Sequence, residues 1–481
     1  MRAAWVLLVL AACGGKKEPP PPTSQPTIGD ESQTPAPTIA GTNAPAPAFP
    51  TWARSLELKR TVGVRLEPKP DAKRIGDISI DTRVRWQRTE KAKGCTSVWV
   101  ELAPRGWVCG DYVAPSKLPP YGQEVPRLDK GELVPGTYGK VTGASAVTYK
   151  IEKPVPPKKK KGKPVTTPSE VAPPVDKMVE DKPIVGSVNV RDYEDVSIGG
   201  KSYWKIDAKQ NEYVLASAIT PHRPSAFGGT RLGDDTGWGV PFAFVWPRPG
   251  MGLAYTTNKA AGGGIARQLA PRTPAPILET VTDKAGKPTA YRIGDGEWLQ
   301  AADARVFHPA PPPAHLGKGE RWIDVDVDSQ ILVAYEGELP VYATMVTTGA
   351  VKTPTDTGVY RMWMKESEAD MNGLNGEDPY SVATVPWTQF FSPEKGLALH
   401  TAYWHDAFGT RRSHGCVNLA PKDARWLYFW SDPQVPPGWT MAAGVVEAPG
   451  SIVRVRSKDD PDPPLKGYAR SVEELRASAG T

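Results

Sequence analysis

Clustered prolines divide this chain into segments that cannot share one continuous fold. The 481 residues include 52 prolines, and proline lacks a backbone N–H, so dense runs of it interrupt helices and central strands. Such runs lie at 14–50, 153–183 and 309–313. We expect residues 13–50 to form a disordered linker, 153–183 a disordered insertion in a surface loop, and the last run a stiff hinge. Several domains are therefore predicted.

Three stretches between these runs share one pattern: a short alternating strand, a turn, and a second strand that begins with an aromatic residue. Alternating apolar and polar residues on both sides of a Gly-rich or polar turn are typical of β-hairpins. The turn lengths differ by a residue or two, so the repeat is approximate. We predict small β modules at 54–116, 130–222 (with the insertion 153–183) and 236–310.

The segment 318–456 is also predicted to be mainly β. Ile323, Val325 and Val327 alternate with aspartates, which predicts a half-exposed strand. One helix is expected at 421–431, opened by a proline at its first turn. The tail 457–481 is predicted to be disordered, with at most one short helix. Further strands are expected at 331–335, 339–347, 358–365, 383–391, 396–400, 440–446 and 452–455.

The run Ser413-His414-Gly415-Cys416 places reactive side chains beside a flexible backbone position, with His400 sixteen residues before the cysteine. A thiol with a pKa of about 8.5 is only slightly ionised at neutral pH, and an imidazole that takes its proton creates the nucleophile. Gly415 permits close approach of a ligand to the backbone, and the N–H groups of Gly415 and Cys416 could hold an oxyanion. The sequence therefore places a candidate nucleophile, a candidate base and a candidate oxyanion loop within seventeen residues.

The sequences around these residues resemble the L,D-transpeptidase catalytic domain of bacterial cell-wall enzymes. The strings LALHTAYWHDAFG (397–409) and SHGCVNLAPKDARWLYFW (413–430) carry the resemblance, with landmarks at 322–349, 353–363 and 385–391. It implies a mainly β, sandwich-like domain with one helix after the nucleophile loop. It also implies that Cys416 is acylated by peptidoglycan stem peptides and that His400 accepts and donates the proton. No cofactor or metal is implied.

Other residues near this run have two readings each. His414 is a competing base or positions substrate, and Ser413 orients an imidazole or simply forms a turn. His405 is structural or lies in the substrate cleft. A zinc site built from the imidazoles and the thiolate is a rival to acyl transfer, although the spacing matches no common zinc motif. Residues predicted to bind substrate, with core packing as the alternative for the three aromatic ones, are Trp387, Tyr403, Trp404 and Asn418.

The predicted cross-linking reaction also has alternatives. An L,D-carboxypeptidase or a cross-link hydrolase would use the same Cys/His site, and a non-catalytic peptidoglycan-binding lipoprotein would not use it. The net charge of +6 is too diffuse to indicate a nucleic-acid partner.

The β modules resemble the bacterial Src-homology-3-like domains of cell-wall proteins. In the first module the resemblance rests on 64–88 together with 97–113. The second module is similar but weaker, and the third weaker still. The resemblance implies small barrels that position the C-terminal domain or bind wall polymer.

The amino terminus has the pattern of an export signal. Residues 1–12 combine one arginine with a short apolar run, and Leu-Ala-Ala-Cys ending at Cys13 resembles a bacterial lipoprotein signal. This implies a lipid anchor in the membrane and a periplasm-facing protein, and Gly14 rather than aspartate favours the outer membrane. Of the four cysteines, Cys95 and Cys109 lie in one predicted hairpin, where an exported protein can keep a disulfide. Cys416 is left as the free thiol.

Overall fold

The computed structural model describes residues 48–143, 145–153, 176–233, 238–373 and 379–479. The predicted signal peptide, Cys13 and all of the predicted linker before residue 48 lie outside the described residues. So does 154–175 of the predicted insertion. Within the described ranges, no helix combines the length and the apolar character needed to cross a bilayer.

The first module comprises eight short strands and one 3-10 helix between residues 55 and 116. Cys95 and Cys109 form a disulfide with their Cα atoms 5.5 Å apart, as predicted. The elements are β1 (Ser55–Leu58), β2 (Val62–Arg65), β3 (Arg74–Ile78), β4 (Arg83–Val84), β5 (Trp86–Glu90), β6 (Trp99–Leu102), β7 (Trp107–Cys109), η1 (Gly110–Tyr112) and β8 (Val113–Ser116).

The second module, between residues 137 and 221, also has eight strands and one 3-10 helix. Its strand β11 includes residues that were expected in the disordered insertion, because they pair with β10. The elements are β9 (Thr137–Val141), β10 (Val147–Glu152), β11 (Lys177–Pro183), β12 (Ser187–Asp192), β13 (Glu194–Ile198), β14 (Lys201–Lys205), β15 (Tyr213–Leu215), η2 (Ala216–Ala218) and β16 (Ile219–Pro221).

A two-residue strand, β17 (Thr230–Arg231), precedes the third module, which spans residues 242–307. The third module contains β18 (Phe242–Val245), β19 (Ala254–Thr257), β20 (Ile265–Leu269), β21 (Pro274–Pro276), β22 (Glu279–Thr282), β23 (Pro288–Gly294), β24 (Glu297–Gln300), η3 (Ala301–Asp303) and β25 (Ala304–Phe307). All three predicted hairpins are present, as β6–β7, β14–β15 and β23–β24. Each is followed by a 3-10 helix and another strand.

The C-terminal domain, residues 321–456, is mainly β with one helix, as predicted. The helix α1 (Pro421–Trp430) follows the nucleophile loop, and a second helix, α2 (Gly467–Ala479), follows the domain. The strands are β26 (Arg321–Asp326), β27 (Ile331–Glu336), β28 (Leu339–Met345), β29 (Gly358–Arg361), β30 (Met364–Gly373), β31 (Tyr380–Ser392), β32 (Leu397–Thr401), β33 (Val417–Leu419), β34 (Trp439–Ala443) and β35 (Ile452–Arg456).

Two sheets build the C-terminal domain. One has the strand order β17-β28-β27-β26-β35-β29, and the other contains β30 to β34. Apolar residues of both sheets and of α1 form one buried cluster, which includes Ile323, Leu332, Trp387, Val417 and Leu427. The expected sandwich-like arrangement is therefore present.

Strands of the first two modules extend the second sheet at both sides. β12 of the second module pairs in parallel with β31, and β3 of the first module pairs antiparallel with β34. The continuous order is β16-β9-β12-β31-β30-β34-β3-β2-β7-β6-β5. Both modules are thus joined to the C-terminal domain by backbone hydrogen bonds.

The predicted half-exposed strand at 323–327 is wrong, because both of its faces are covered. Trp322 and Ile331 pack with Phe242 and Phe307 of the third module on the outer face of the sheet. Asp324 is completely buried there, and its carboxylate receives hydrogen bonds from the guanidinium groups of Arg454 and Arg456. A buried charge requires such partners.

The tail also differs from expectation. Where a disordered segment was predicted at 457–481, α2 packs on the C-terminal domain and buries Ala469 and Val472 completely. Leu465 forms a bridge to Val359, and Lys466 forms an ion pair with Asp356. Tertiary contacts of this kind stabilise a helix that would be marginal in isolation.

Candidate active site

Cys416 ends a short loop that leads directly into β33. The preceding Gly415 has φ +120°, which residues with a side chain rarely adopt. A Cβ atom there would also lie 3.1 Å from Cδ2 of Leu397. Among the described residues, Cys416 is the free cysteine, and glycine is needed before it for backbone conformation and for space.

The hydroxyl of Ser413 holds this loop together. It donates to the carbonyl oxygen of Cys416 at 2.6 Å and accepts the N–H of Gly415 at 3.2 Å. Both contacts are local turn contacts of the kind that serine commonly makes. The geometry favours the turn role of Ser413 over contact with an imidazole.

Two threonines fix the loop from outside, and sequence reasoning did not single them out. Thr353 Oγ1 donates to the carbonyl of Ser413 at 2.9 Å, and Thr355 Oγ1 donates to that of Gly415 at 2.7 Å. Thr355 also accepts the N–H of Gly349 at 2.9 Å. Their i, i+2 spacing around Pro354 was the available signal, since alternate residues of an extended segment share one face.

The surroundings of the Cys416 thiol favour its neutral form. Sγ lies 3.7 Å from the carbonyl oxygen of Gly396. Burial raises the pKa of the thiol to about 11, although the N–H of Ala398 counteracts part of that effect. A thiol in this state needs a base to become a nucleophile.

His400, on β32, is a neutral imidazole with a defined tautomer. Its Nδ1 lies 2.9 Å from the carbonyl oxygen of Thr401, and a carbonyl only accepts, so Nδ1 carries the proton. Burial lowers the pKa of His400 to about 4. Nε2 therefore has a free lone pair at neutral pH and can accept a proton.

The strand register brings His400 and Cys416 to neighbouring positions. β32 and β33 are parallel, with Leu399 opposite Val417 and His400 opposite Asn418. Cys416 directly precedes β33 and lies two residues before Asn418, which is opposite His400 on the adjacent strand. With a rise of about 3.3 Å per residue and a strand spacing of about 4.8 Å, their Cα atoms are roughly 8 Å apart.

His405 and Asn418 form a structural pair. His405 Nδ1 accepts the N–H of Ala407 at 3.2 Å, so Nε2 carries the ring proton. The amide of Asn418 lies 3.1 Å from Nε2, and placing its oxygen there gives the otherwise unpaired, buried Oδ1 a donor. Burial, and then the charge of Arg412, lower the pKa of His405 to about 4. Both nitrogens are occupied, which favours the structural reading.

His414 is exposed, and its ring lies parallel to that of Tyr380 with 4.3 Å between the centroids. Burial raises the pKa of Tyr380, and so does the charge that Cys416 carries once it is ionised. Tyr380 is thus a neighbour of the thiol that sequence reasoning missed. Its only sequence signal was its position at the start of a strand.

The aromatic residues predicted to bind substrate differ in exposure. Trp387 and Tyr403 are completely buried, and the Tyr403 hydroxyl donates to the carbonyl of Ala383 at 2.9 Å. Their burial favours the alternative of core packing. Trp404 is half-buried and stacks on His400 with 5.8 Å between ring centroids, so it remains a candidate wall of the cleft.

The zinc alternative lacks a ligand cluster within the described residues. There, the group of three possible ligand atoms within 4.8 Å of one another is Cys95, Cys109 and Asp111. Two of these form the disulfide. Cys416 and the nearby imidazoles are not gathered in this way.

The loop also offers a donor for a developing oxyanion. The N–H of Gly415 is already used by Ser413. The N–H of Cys416 has no acceptor among the described residues. A free thiol, a neutral imidazole and a free backbone donor on one loop and its adjacent strand are the components of cysteine-dependent acyl transfer.

This part of the chain is also similar in sequence to known proteins. Residues 320–455 match the sequence model of the L,D-transpeptidase catalytic domain, YkuD. The putative L,D-transpeptidase YciB of Bacillus subtilis strain 168 is 28% identical over 121 residues, which are 22% of this chain and 59% of YciB. The matched part of the chain thus spans less than two thirds of that relative. Residues 320–455 are therefore similar to the L,D-transpeptidase catalytic domain.

Solved structures of L,D-transpeptidases are also similar. A mutant L,D-transpeptidase from Enterococcus faecium is 26% identical, with 28% of this chain and 50% of that chain covered and a TM-score of 0.23. An L,D-transpeptidase from Mycobacterium smegmatis is 18% identical, with 50% and 90% covered and a TM-score of 0.24.

Proposed function

We propose that this protein is an L,D-transpeptidase that forms peptidoglycan cross-links through a thioester on Cys416. The family match of residues 320–455 supports the reaction class. The observation that carries the proposal is the hydrogen bond between His400 Nδ1 and the Thr401 carbonyl. It leaves Nε2 as the lone-pair nitrogen of a neutral imidazole, one strand away from a free thiol.

In the first half-reaction, Cys416 Sγ attacks the carbonyl carbon of the third residue of a stem tetrapeptide. Because thiol and imidazole both start neutral, His400 Nε2 takes the thiol proton as the C–S bond forms. The N–H of Cys416 stabilises the oxyanion. When the tetrahedral intermediate collapses, the C–N bond to the terminal D-alanine breaks. His400 then returns the proton to the departing amine, which leaves the thioester.

In the second half-reaction, the amine of an acceptor stem attacks the thioester carbonyl. His400 Nε2 accepts one amine proton, the C–S bond breaks, and the proton returns to the sulfur. The net result is a new amide bond and a regenerated thiol. Water in place of the amine would give a carboxypeptidase reaction.

We also propose that the protein is a lipoprotein of the cell envelope, anchored through Cys13. Its proline-rich residues 13–50, at about 3.1 Å per residue in an extended form, would reach on the order of 100 Å from the membrane. Cys13→Ser should move the protein from the membrane fraction to the periplasmic fraction. Equal membrane recovery of both forms would contradict the anchor.

The catalytic proposal is tested by incubating purified tetrapeptide muropeptides with the wild-type protein and with Cys416→Ala, followed by mass spectrometry. We expect cross-linked dimers and a thioester adduct on the wild type, and neither with the variant. Tripeptides without dimers would instead indicate a carboxypeptidase. No product from either protein would contradict the enzymatic function and favour a binding role.

A further inference from the structure

The second module contacts residues on both sides of the candidate active site. A row of aromatic rings leads from this module to His400. Tyr138, on β9, stacks on Tyr403 at 4.0 Å between centroids. Tyr403 meets Trp404 edge-on at 4.9 Å, and Trp404 stacks on His400 at 5.8 Å. Ring pairs at these separations are attractive and directional, so the orientation of each ring constrains the next.

A second route leads from the same module to Cys416. β12 pairs in parallel with the start of β31, with Ser187 opposite Tyr380, and the N–H of Ser187 donates to the carbonyl of Pro379 at 2.9 Å. The Tyr380 ring in turn stacks on His414, two residues before Cys416. The module thus supports the nucleophile loop as well as the imidazole.

An ion pair anchors the module between these two routes. The guanidinium of Arg191 pairs with the Glu368 carboxylate of β30, and it also donates to the carbonyl of Pro135. Both charged side chains are largely buried, with 20% and 26% of their surfaces exposed. The Tyr138 hydroxyl donates to the carbonyl of Thr384 at 3.3 Å. Tyr138 is therefore held by a hydrogen bond from its hydroxyl as well as by stacking of its ring.

We infer that the second module is part of the active-site scaffold and that Tyr138 is a positioning residue for the His400 imidazole. This inference rests on the proposed function of the same site and assigns the module a role in the reaction. A base must be held within a fraction of an ångström of its productive position, and packed neighbours provide that constraint. Without the Tyr138 ring, Tyr403 loses its stacking partner and Trp404 gains freedom to tilt.

The experiment uses the full chain and three variants. Tyr138→Ala removes the ring, and Tyr138→Phe keeps it. Tyr149→Ala is the matched control, because Tyr149 lies in the same module and packs edge-on against Tyr203. We expect Tyr138→Ala to lower kcat for thioester formation at least about tenfold with KM within about twofold, since substrate contacts are unchanged. Tyr138→Phe should restore most of kcat, and Tyr149→Ala should not lower it.

A second measurement requires no substrate. In histidine-labelled protein, the His400 ring signals are assigned by their loss in His400→Gln and followed as pH is varied. We expect Tyr138→Ala to shift these signals and to raise the apparent pKa of His400 toward its ordinary value, while Tyr149→Ala leaves both unchanged. If Tyr138→Ala does not fold, Tyr138→Leu, which keeps most of the apolar volume, replaces it.

Unchanged His400 signals and an unchanged kcat in folded Tyr138→Ala would overturn the inference. A different combination is that the wild-type protein gives no muropeptide product while the His400 signals still respond to Tyr138→Ala. This result would overturn the proposed function and leave the positioning role standing. The two failures are thus distinguishable.

Discussion

The first and second modules both end in a β-hairpin, a 3-10 helix and one further strand. They are nevertheless joined to the C-terminal domain in different ways. The first module contacts β34, where Trp439 lies against Gly76 so closely that a Cβ on the glycine would be 1.9 Å from the ring. The second module contacts β31 and stacks Tyr138 on Tyr403. Two similar small β modules therefore extend the same sheet at different strands and contact different residues of the C-terminal domain.

The two modules differ in whether their contacts continue to residues of the candidate active site. From the second module, ring contacts continue to His400, and strand pairing leads to Tyr380, whose ring stacks on His414. Among the described residues, no ring contact or side-chain hydrogen bond joins the first module to His400, His414 or Cys416. We expect changes at the first contact to alter stability alone and changes at the second to alter stability and reactivity together.

The largest stability effect is expected from removing the disulfide of the first module. The double change Cys95→Ser and Cys109→Ser opens a loop with a sequence separation of 14, which corresponds to about 3 kcal/mol of unfolding free energy in the chain-entropy model. Urea unfolding measures this loss. Iodoacetamide alkylation of Cys416 in the folded protein should keep its wild-type rate, and a slower rate would show that the first module also supports the site.

Arg191→Ala should have a smaller effect on stability but a clear effect on reactivity. It leaves the largely buried Glu368 without its partner, at a cost of about 2 kcal/mol. Because the second module then loosens against β30, thioester formation should slow by about tenfold or more. Lys150→Ala is the control, since it breaks an ion pair with Asp181 inside the same module. Equal thioester rates in both variants would contradict the proposed difference between the modules.

Gly76→Ala tests the first contact directly. The added methyl group meets the rigid ring of Trp439, so we expect a loss of about 1 kcal/mol or somewhat more. Gly63→Ala is the control in the neighbouring strand, where a Cβ would meet the flexible Arg74 side chain at 3.3 Å. Thermal unfolding should separate the two variants, and thioester formation should be the same in both. A slower reaction in Gly76→Ala alone would remove the distinction.

A pH effect is also expected in the second module, because it has a histidine with a lowered pKa of its own, apart from His400 and His405 of the C-terminal domain. Burial lowers the pKa of His222 to about 4, so between pH 6.5 and 4 the unfolded chain binds a proton that the folded chain does not. Stability contributed by neutral His222 is thus lost as pH falls through that window. The carboxyl of Glu368, whose pKa is raised by burial, acts in the opposite sense.

Hydrogen exchange of the β9 and β12 amides isolates the histidine contribution. His222 Nε2 lies 2.8 Å from Asn189 Oδ1, and His222→Gln keeps a donor there without a titrating ring. We expect the loss of protection between pH 6.5 and 4 to be smaller in His222→Gln than in the wild type. Identical pH dependence in both proteins would rule out His222 as its source.

The local patterns of the sequence predicted most of the C-terminal domain. Alternating residues and turn signals predicted the hairpins, and Pro421 predicted the start of α1 correctly. The prediction that the strand with Asp324 is half-exposed was wrong. The buried Asp324 carboxylate depends on Arg454 and Arg456, which are 130 and 132 residues away. Thr353 and Thr355 were missed for the same reason, since their partners lie 60 residues further along the chain.

The sequence alone determined the chemistry that is available: a free thiol after a glycine, a histidine on a preceding strand, and the similarity of residues 320–455 to the L,D-transpeptidase catalytic domain. These follow from residue types and short spacings. The tertiary structure decided the protonation states and the surroundings of those residues. Burial favours the neutral forms of Cys416 and His400, one carbonyl selects the tautomer, and Tyr138 is placed in the aromatic row that leads to the imidazole. Burial and stacking depend on segments distant in sequence, so they exist only once the sheet has assembled.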